Sequence, residues 1–239
     1  MNLDNLVKYC ENVFGLKLSV GQVEAFNTYQ RELIAWNRKV NLTAITTQEG
    51  IESNHFIDSL SCAQVFNPNN ALKVIDVGCG AGFPGIPLRI VFPRIELTLT
   101  DSVRKKTDFC AHILSVLEIN DVAVLTTRAE ELGQNSIHRE QFDYALARAV
   151  APLPILIEYL IPLVKVGGYA IAQKGRDALQ EIQVATHALS ELGVEISAVC
   201  KVEIPGTDVE RNLVVMKKVK TTPAKYPRRA GIPAKRPLR

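Results

Sequence analysis

The stretch VIDVGCGAGFPGIP, residues 74–87, contains a short apolar run, one acid and four glycines. The apolar run predicts a buried β-strand that ends close to Asp76, and the glycines follow at once. Glycine has no Cβ atom, so it is used where the backbone turns sharply or approaches another molecule closely. Four glycines are more than a strand–helix turn needs, so the stretch predicts a loop that binds a ligand.

Short apolar strands alternate with amphipathic helices on the carboxyl side of this loop. A further helix is expected over DALQEIQVATHALSEL, with Gly193 as its C-cap. This alternation predicts an α/β fold with a parallel sheet covered by helices on both faces. The expected strands are KVIDVG, IELTLTD, VAVLTT, FDYALAR and GYAIAQ, with a helix at PILIEYLIPLV between the last two.

The two ends of the chain have different patterns. At the start, Ser19 and Gln22 form a capping box, and a second helix is expected over EGIESNHFIDSLSCAQVF. Near the end, VEISAVCKVEI alternates strictly and is followed by RNLVVMKKV, which predicts an antiparallel pair closing one edge of the sheet. We therefore divide the chain into a helical N-terminal extension (1–70), a Rossmann-like domain (71–219) and a basic tail (220–239).

The charge of the chain is distributed unevenly. The net charge is +3, yet from Lys217 to the end there are nine Lys and Arg residues and no acid. The rest of the chain therefore carries +3 − 9, or −6. A basic tail on an acidic body predicts contact with a polyanion, although terminal cations can also act only as a solubilising segment.

Cysteine usage and hydropathy indicate the compartment. The five cysteines are scattered and never form Cys-x-x-Cys, and the histidines lack metal-ligand spacing, so we expect no disulfide and no metal. The N-terminal MNLDNLVKYC is not a signal peptide, and charges and prolines interrupt the most apolar segment. We expect a cytoplasmic protein without a membrane partner and take a monomer as the working expectation.

The ligand of the glycine loop is decided by its acids and prolines. A phosphate-binding P-loop sequence is absent, but Gly80, Gly82 and Gly85 satisfy G-x-G-x-x-G, and Asp101 lies where a ribose-binding acid belongs. Asp76, however, would face a pyrophosphate with negative charge. The prolines at 84 and 87 also remove N–H donors that phosphate needs. A nucleoside with a cationic end and no phosphate fits better, which favours S-adenosylmethionine.

The motifs WNRKVNLT, NHFIDS, VIDVGCGAGFPGIPL, RAEE, ARAV, QKG and YPRRAGIPAKRPL together resemble the bacterial 16S rRNA guanine-N(7) methyltransferases of the RsmG (GidB) family. The resemblance runs from about residue 36 to residue 238. It implies a class I S-adenosylmethionine-dependent methyltransferase fold (Rossmann-like, mostly parallel sheet with an antiparallel edge strand) with a helical N-terminal extension. It also implies methylation of one guanosine of 16S rRNA near the decoding site.

The resemblance also assigns cofactor contacts. Carried over by motif, they fall on Gly78, Phe83, Ala129, Glu130 and Arg148. The loop and strand pattern adds three more residues. Gly80 would let the backbone approach the cofactor, Asp76 would orient its amino-acid end directly or through water, and Asp101 would bind the ribose hydroxyls.

Methyl transfer to ring nitrogen 7 of guanine needs alignment more than acid–base chemistry, because that nitrogen carries a free lone pair and no proton. The sequence lacks [DNS]-P-P-[YFW] and a Pro-Cys pair, which serve other acceptor atoms. Arg148, at the carboxyl end of its strand, is the candidate positioning residue, and we expect no general base. His55 and Asp58 share a helix face and either line the substrate pocket or pack at a domain junction.

The tail supplies candidate rRNA contacts. If it serves only RNA, truncation after Met216 should leave cofactor affinity unchanged. Two other functions stay open: an NAD-dependent oxidoreductase would account for the glycines and Asp101, and a non-catalytic RNA-binding module would account for the tail. The candidate RNA-binding cations are Lys225, Arg228, Arg229, Lys235 and Arg236.

Overall fold

The computed structural model describes residues 3–67 and 70–238. Its strands are β1 (Lys73–Val77), β2 (Glu96–Asp101), β3 (Ala123–Thr126), β4 (Phe142–Arg148), β5 (Val164–Lys174), β6 (Val194–Val202) and β7 (Arg211–Lys218). They form one sheet in the order β3-β2-β1-β4-β5-β7-β6. Strands β1 to β5 are parallel neighbours, and β7 is antiparallel to both β5 and β6. The predicted α/β class, parallel sheet and terminal antiparallel pair are confirmed.

The helices flank the sheet and precede it. The α-helices are α1 (Asp4–Phe14), α2 (Val20–Val40), α3 (Gln48–Ile51), α4 (Asp58–Leu60), α5 (Gly85–Val91), α6 (Arg104–Val116), α7 (Ala129–Gln134), α8 (Leu153–Leu160), α9 (Ala178–Val184), α10 (Thr186–Leu192) and α11 (Ile232–Lys235). A π-helix covers Glu52–Ile57, and 3₁₀ helices cover Ser61–Val65 and Ile161–Leu163. Within the described part of the chain, no helix is long and apolar enough to cross a membrane.

The N-terminal helices share a hydrophobic core with one face of the sheet. Phe26 and Tyr29 on α2 are fully buried against Phe56, and the same cluster continues through α5 and α6 to β1 and β2. The expected capping box is present: the Ser19 hydroxyl accepts from the Gln22 N–H, and the Gln22 side chain accepts from the Ser19 N–H. Burying each such aromatic or aliphatic side chain contributes about 1.5–3 kcal/mol, so the extension is part of the main fold.

The opposite face of the sheet is covered by α7, α8 and α10. Leu156 and Leu160 of α8 pack there with Leu132 of α7, and Tyr226 from the C-terminal segment joins the same cluster at 6% exposure. The basic tail is therefore attached to the body through an apolar anchor.

The reversed strand lies one place in from the sheet edge. Because β7 pairs with both β5 and β6, the edge strand itself is β6. The expected strict alternation of β6 is wrong, since a register shift between Ile196 and Ala198 interrupts it. A bulge of this kind bends an edge strand and discourages pairing with another chain.

Two expected helices are wrong in their extent. The helix expected over 49–66 is divided into α3, the π-helix, α4 and a 3₁₀ turn, and the single helix expected over 177–192 breaks at Ala185. Both parts, α9 and α10, pack on α8, and α10 also places Ala188 and Leu192 in the core beside β6. Gly193 is the predicted C-cap and adopts a left-handed conformation.

Candidate functional site

The glycine loop lies at the carboxyl end of β1, where the strand order reverses between β1 and β4. Ligands of open α/β sheets bind at such a switch point. The N–H groups of Gly78 and Cys79 both donate to the carbonyl of Thr100, at 2.8 and 3.0 Å, which ties the loop to the end of β2. Gly78 has φ of +70°, and a Cβ atom there would lie 2.6 Å from Cγ2 of Val150. This position therefore requires glycine.

The first turn of α5 has no N–H group left for a phosphate. Gly85 donates to Oδ2 of Asp76 at 2.8 Å, and Ile86 donates to the carbonyl of Gly82 at 2.8 Å. Pro84 and Pro87 have no N–H to offer. A dinucleotide fold presents its pyrophosphate to the N–H groups at this helix start. The local geometry thus disfavours a dinucleotide.

A first cavity of about 250 Å³ opens beside the loop, at the ends of β1, β2 and β3 and the start of α7. It brings together four of the predicted cofactor residues: Gly78, Asp101, Ala129 and Glu130. Lys106 and Tyr159 also line it. Gly80 does not line this cavity, although its N–H donates to Oδ2 of Asp101 at 3.1 Å.

The Asp101 carboxylate is held in a fixed orientation at the cavity wall. Its Oδ1 accepts from the Val103 N–H at 2.9 Å, its Oδ2 accepts from Gly80, and the Lys106 ammonium lies 3.5 Å away. The side chain is 6% exposed. A carboxylate positioned by backbone donors on two sides is preorganised to accept further hydrogen bonds from a ligand.

Asp76 lies beneath the loop and does not line the cavity. It is completely buried, its Oδ2 accepts from Gly85, and its Oδ1 has no partner among the described residues. Burial raises the pKa of Asp76 to about 7, while the Gly85 hydrogen bond and the Arg148 charge oppose that rise. Direct contact of Asp76 with the ligand's amino-acid end, one of the two expected modes, does not fit this position.

A second cavity, of about 370 Å³, adjoins the first. It is lined by residues of the π-helical region and the ends of β4, β5 and β7. The two cavities share Ala149 in their linings, and this residue has φ of +55°. A left-handed alanine costs about 1–2 kcal/mol, and strain of this kind is concentrated at functional sites.

Arg148, which was expected among the cofactor contacts, lines the second cavity and not the first. Its Nη1 donates to the Asn54 carbonyl at 2.8 Å and to Oδ2 of Asp58 at 2.9 Å, and its Nη2 lies 3.2 Å from Nδ1 of His55. The guanidinium lies over the ring of Phe83, 5.1 Å from its centre. The structure therefore brings three predicted residues, Arg148, His55 and Asp58, to one place.

Phe83 and His55 form the floor beneath this guanidinium. Their rings stack at 4.5 Å and 14°, and the Tyr29 ring also stacks on Phe83, at 5.3 Å and 14°. Nε2 of His55 lies 2.8 Å from the Thr43 hydroxyl. Burial, followed by the charge of Arg148, lowers the pKa of His55 to about 3. Phe83 therefore contacts the second cavity's residues and does not line the first.

Among the residues of the second cavity that the sequence reasoning missed are Gln173, Lys174 and Arg211. Gln173 lies opposite Arg148 in the β4–β5 register, and its Nε2 donates to the Asp58 carbonyl at 2.6 Å. Arg211 donates from Nε to Oδ1 of Asp58 at 3.1 Å. Gln173 and Lys174 are in the QKG motif, whose position at the end of a strand could have indicated that they line a site. Arg211 had none, because only the reversal of β7 brings its first residue to this edge.

The C-terminal cations divide into two groups. Arg228 makes a bidentate pair with Glu158, with Nη2–Oε2 at 2.6 Å, and Lys225 pairs with Glu191. Arg229, Lys235 and Arg236 are exposed, and none has an ion pair within residues 3–67 and 70–238. The charges of this second group are therefore uncompensated and available to a polyanion, while Lys225, whose side chain is 65% exposed, has only a surface ion pair to exchange.

The described residues contain no cluster of three or more His, Cys, Asp and Glu side chains that could hold a metal ion.

Comparison with known proteins gives the family. The model of the family described as rRNA small subunit methyltransferase G matches residues 22–214. A ribosomal RNA small subunit methyltransferase G from Roseiflexus castenholzii is 47% identical over 236 residues, covering 99% of this chain and all of the relative. The protein of the same name from Alkaliphilus metalliredigens is 46% identical over 225 residues, 94% of each chain.

Solved structures support the fold. A predicted O-methyltransferase from Agrobacterium tumefaciens has a TM-score of 0.53 and 21% identity, covering 68% of this chain and 81% of that one. TrmN from Thermus thermophilus has a TM-score of 0.53 at 16% identity, covering 68% and 48%. These likenesses indicate the Rossmann-like methyltransferase fold. The family match excludes the oxidoreductase and the non-catalytic RNA-binding module, and the chain belongs to the rRNA small subunit methyltransferase G family, as an rRNA methyltransferase.

Proposed function

We propose that this enzyme transfers the methyl group of S-adenosylmethionine to nitrogen 7 of one guanosine of 16S rRNA near the decoding site. The cofactor would occupy the first cavity and the target base the second. The observation that carries the proposal is the shared wall at Ala149, since a methyl donor in one cavity and an acceptor in the other would meet there. We place the reaction in the cytoplasm, with the small ribosomal subunit or its rRNA as the partner.

The first cavity suits a nucleoside without phosphate. The Asp101 carboxylate can accept the ribose hydroxyls, and the Gly78 backbone can lie directly against the ligand. Glu130 is buried, its Oε1 accepts from the Gly231 N–H at 2.9 Å, and no partner within residues 3–67 and 70–238 uses its Oε2. That oxygen is free to accept from the amino group of adenine. Ala129, at the start of α7, would contact the same ring.

The second cavity suits an anionic nucleotide carrying a purine. Arg148, Arg211 and Lys174 are cationic, and guanine presents oxygen 6 as an acceptor beside nitrogen 7. A guanidinium can bind that oxygen or a neighbouring phosphate and leave nitrogen 7 free. Arg148 would position the base; its planar group is fixed by Asp58, the Asn54 carbonyl and the Phe83 ring.

The proposed methyl transfer requires the acceptor nitrogen, the methyl group and the sulfur to be aligned, and it requires no general base. When bound, S-adenosylmethionine would supply an activated methyl group: the nitrogen lone pair would form the new N–C bond, and the C–S bonding pair would leave with sulfur. The positive charge passes to the purine ring and no proton has to move. What the protein contributes is the fixed geometry of two adjoining cavities, which converts a bimolecular encounter into an oriented one.

Calorimetry tests the cofactor assignment. We expect S-adenosylmethionine and its demethylated product to bind the wild-type protein, and Asp101→Ala to weaken that binding by about 1.5–3 kcal/mol. NAD should give no heat, because the first turn of α5 has no N–H free for its pyrophosphate. Binding of NAD in preference to S-adenosylmethionine would overturn the assignment.

His55 should not act as a proton acceptor at neutral pH. With its pKa near 3, it is neutral throughout the range from pH 5 to 8, so kcat at saturating cofactor should stay flat between pH 6.5 and 8. His55→Ala should lower kcat by less than the ~10²–10⁴ of a lost general base. A step in kcat near pH 6.5 that disappears in His55→Ala would contradict this.

The same pKa has a consequence for stability. In the unfolded chain His55 becomes protonated near pH 6.5, whereas in the folded protein it becomes protonated only near pH 3. The free energy of unfolding should therefore lose a contribution from His55 as the pH falls through this interval. The interval lies below the neutral range used for the assay.

Asp76 should make cofactor affinity depend on pH in the neutral range. Its pKa of about 7 means that the carboxyl is neutral below pH 7 and charged above it. Between pH 6 and 8 the charged fraction rises from about one tenth to about nine tenths, so affinity for the cationic cofactor should rise by up to about tenfold. Calorimetry across this range measures the effect.

Asp76→Asn is the matched control, because an amide oxygen still accepts from Gly85 but carries no charge. In this variant the pH dependence should disappear. The demethylated product lacks the sulfonium charge, so its affinity should vary less with pH in the wild-type protein. An equal slope in the wild-type protein and in Asp76→Asn would show that another group titrates. The effect of Asp76 on stability has the opposite sign to its effect on affinity. The folded protein keeps the Asp76 proton when the unfolded chain has lost it, so the free energy of unfolding loses this contribution as the pH rises from about 4 to 7.

A further inference from the structure

The C-terminal segment, residues 220–238, is bound to the wall of the first cavity. Its Gly231 N–H donates to Oε1 of Glu130 at 2.9 Å, and Glu130 lines that cavity at 5% exposure. Of the hydrogen bonds in the described structure, this is the one that the Glu130 carboxylate makes. Glu130, which is assigned to cofactor binding, is therefore held by a donor in the C-terminal segment and not by one in its own helix, α7.

Arg228 is the anchor that places this donor. Its side chain donates from Nε and Nη2 to both oxygens of Glu158, at 2.6 to 3.1 Å, and its backbone N–H donates to the same carboxylate at 2.7 Å. Glu158 is fully buried on α8. A bidentate guanidinium–carboxylate pair fixes geometry as well as supplying energy. The Arg228 side chain is therefore directed to a buried carboxylate, although its neighbours in the sequence include surface cations.

Further contacts hold the segment in register over α7. Arg139 donates to the carbonyls of Thr222 and Tyr226 at 2.8 and 2.7 Å, and Gln134 donates to the carbonyl of Pro227 at 2.6 Å. A Cβ atom on Gly133 would lie 2.7 Å from Pro227, so α7 and the segment are in close contact. These contacts fix the segment before Arg228, and the hydrogen bond from Gly231 to Glu130 holds it after Arg228.

We infer that Arg228 is a positioning residue for the cofactor, acting through the Gly231 N–H on Glu130. This inference rests on the proposed cofactor site in the first cavity. The exposed cations Arg229, Lys235 and Arg236 are left for rRNA, so one segment serves both ligands. The expectation that truncation after Met216 spares cofactor affinity is accordingly revised: truncation should weaken it.

The test is a double-mutant cycle on cofactor affinity. Arg228→Ala should raise the Kd of the demethylated cofactor about 5- to 30-fold, and Arg228→Lys should restore part of the loss because it keeps the charge. In a Glu130→Ala background, Arg228→Ala should add little, since the residue through which it acts is already gone. The KM for S-adenosylmethionine should rise in Arg228→Ala, while kcat at saturating cofactor stays within about threefold of the wild type.

A second variant guards against general destabilisation. Gly231 has φ of +79° and nothing within 4 Å of a Cβ, so Gly231→Ala strains the donor itself without a clash. Gly167 has φ of +85° and equally open space around its Cβ position. It lies toward the amino end of β5, whereas the carboxyl end of β5 lines the second cavity. Gly231→Ala should weaken cofactor binding, and Gly167→Ala, with the same backbone strain, should not.

The outcomes separate the two proposals. If the wild-type protein does not bind S-adenosylmethionine or its product, the cofactor site itself is wrong. If the wild-type protein binds them and both Arg228→Ala and Gly231→Ala bind as tightly as Gly167→Ala, the positioning role is wrong. Full additivity of Arg228→Ala with Glu130→Ala would also overturn it, because the tail would then act by another route.

Discussion

Replacing Gly78 with valine should abolish the binding of S-adenosylmethionine. The residue has φ of +70°, and a Cβ atom would lie 2.6 Å from Val150, in the wall of the first cavity. Overpacking and left-handed strain each cost about 1–3 kcal/mol, and a branched side chain would also fill the space where the ligand approaches the backbone. We expect a loss of affinity of at least about 100-fold, measured by calorimetry.

Gly80 provides the matched control two residues away. It too has positive φ, +58°, but a Cβ atom there would meet nothing within 4 Å. Gly80→Ala should therefore carry the backbone strain, about 1–2 kcal/mol, without the steric block, and should bind more tightly than Gly78→Ala. A folded Gly78→Val protein with wild-type affinity would mean that the ligand does not approach this loop.

The glycine loop is where the sequence was most informative, and the reason is physical. Positive φ at Gly78 and Gly80 and the close packing at Gly78 can be satisfied by almost no other residue, so the requirement is visible as residue type. Strand–helix alternation is likewise visible in the sequence, and it predicts an α/β fold with a parallel sheet. Asp101, one strand away, followed from the same pattern.

The second cavity could be predicted only in part. Arg148 was found because it ends a parallel strand, but its neighbours depend on contacts between distant segments. The π-helix of Glu52–Ile57 carries His55 to the Phe83 ring, and a helical pattern in the sequence does not distinguish a π-helix from an α-helix. Arg211 is 63 residues further along the chain than Arg148, and it reaches Asp58 because β7 runs backwards.

The tail shows how composition can mislead. A run of cations indicates a solvated, polyanion-binding segment, and no local pattern separates Arg228 from Arg229. What separates them is Glu158, a buried acid on a helix 70 residues away that requires a partner. Asp76 was expected to orient the ligand directly or through water; one of its oxygens holds the Gly85 N–H and the side chain does not line the first cavity, so direct contact does not fit.

Replacing Arg148 with alanine should lower kcat by about 100-fold, because misplacement by about 1 Å near reacting atoms has a cost of this size. The Arg148 side chain is 13% exposed, and its guanidinium contacts the π-helical region, Asp58 and the Phe83 ring around the second cavity. The KM for S-adenosylmethionine should change much less, since Arg148 does not line the first cavity. Steady-state kinetics with rRNA as the substrate measures both constants.

Arg211→Ala is the control for a purely structural effect. Asp58 is 1% exposed on its side chain and is shared by Arg148 and Arg211, so either substitution leaves a buried carboxylate with one cation fewer. If Arg148 acts only by neutralising Asp58, the two variants should lose kcat equally. We expect Arg148→Ala to lose more and Arg148→Lys to lie between. A folded Arg148→Ala enzyme with kcat within about threefold of the wild type would refute the positioning role.

The central claim, that nitrogen 7 of guanine attacks with its own lone pair, is tested most directly by the chemical nature of the product. The enzyme is incubated with S-adenosylmethionine and small subunits or 16S rRNA that lack the modification, and the RNA is digested to nucleosides and analysed by mass spectrometry. We expect 7-methylguanosine, formed by the wild-type enzyme and by His55→Ala. A methyl group on a ribose, an exocyclic amine or a pyrimidine carbon would contradict it.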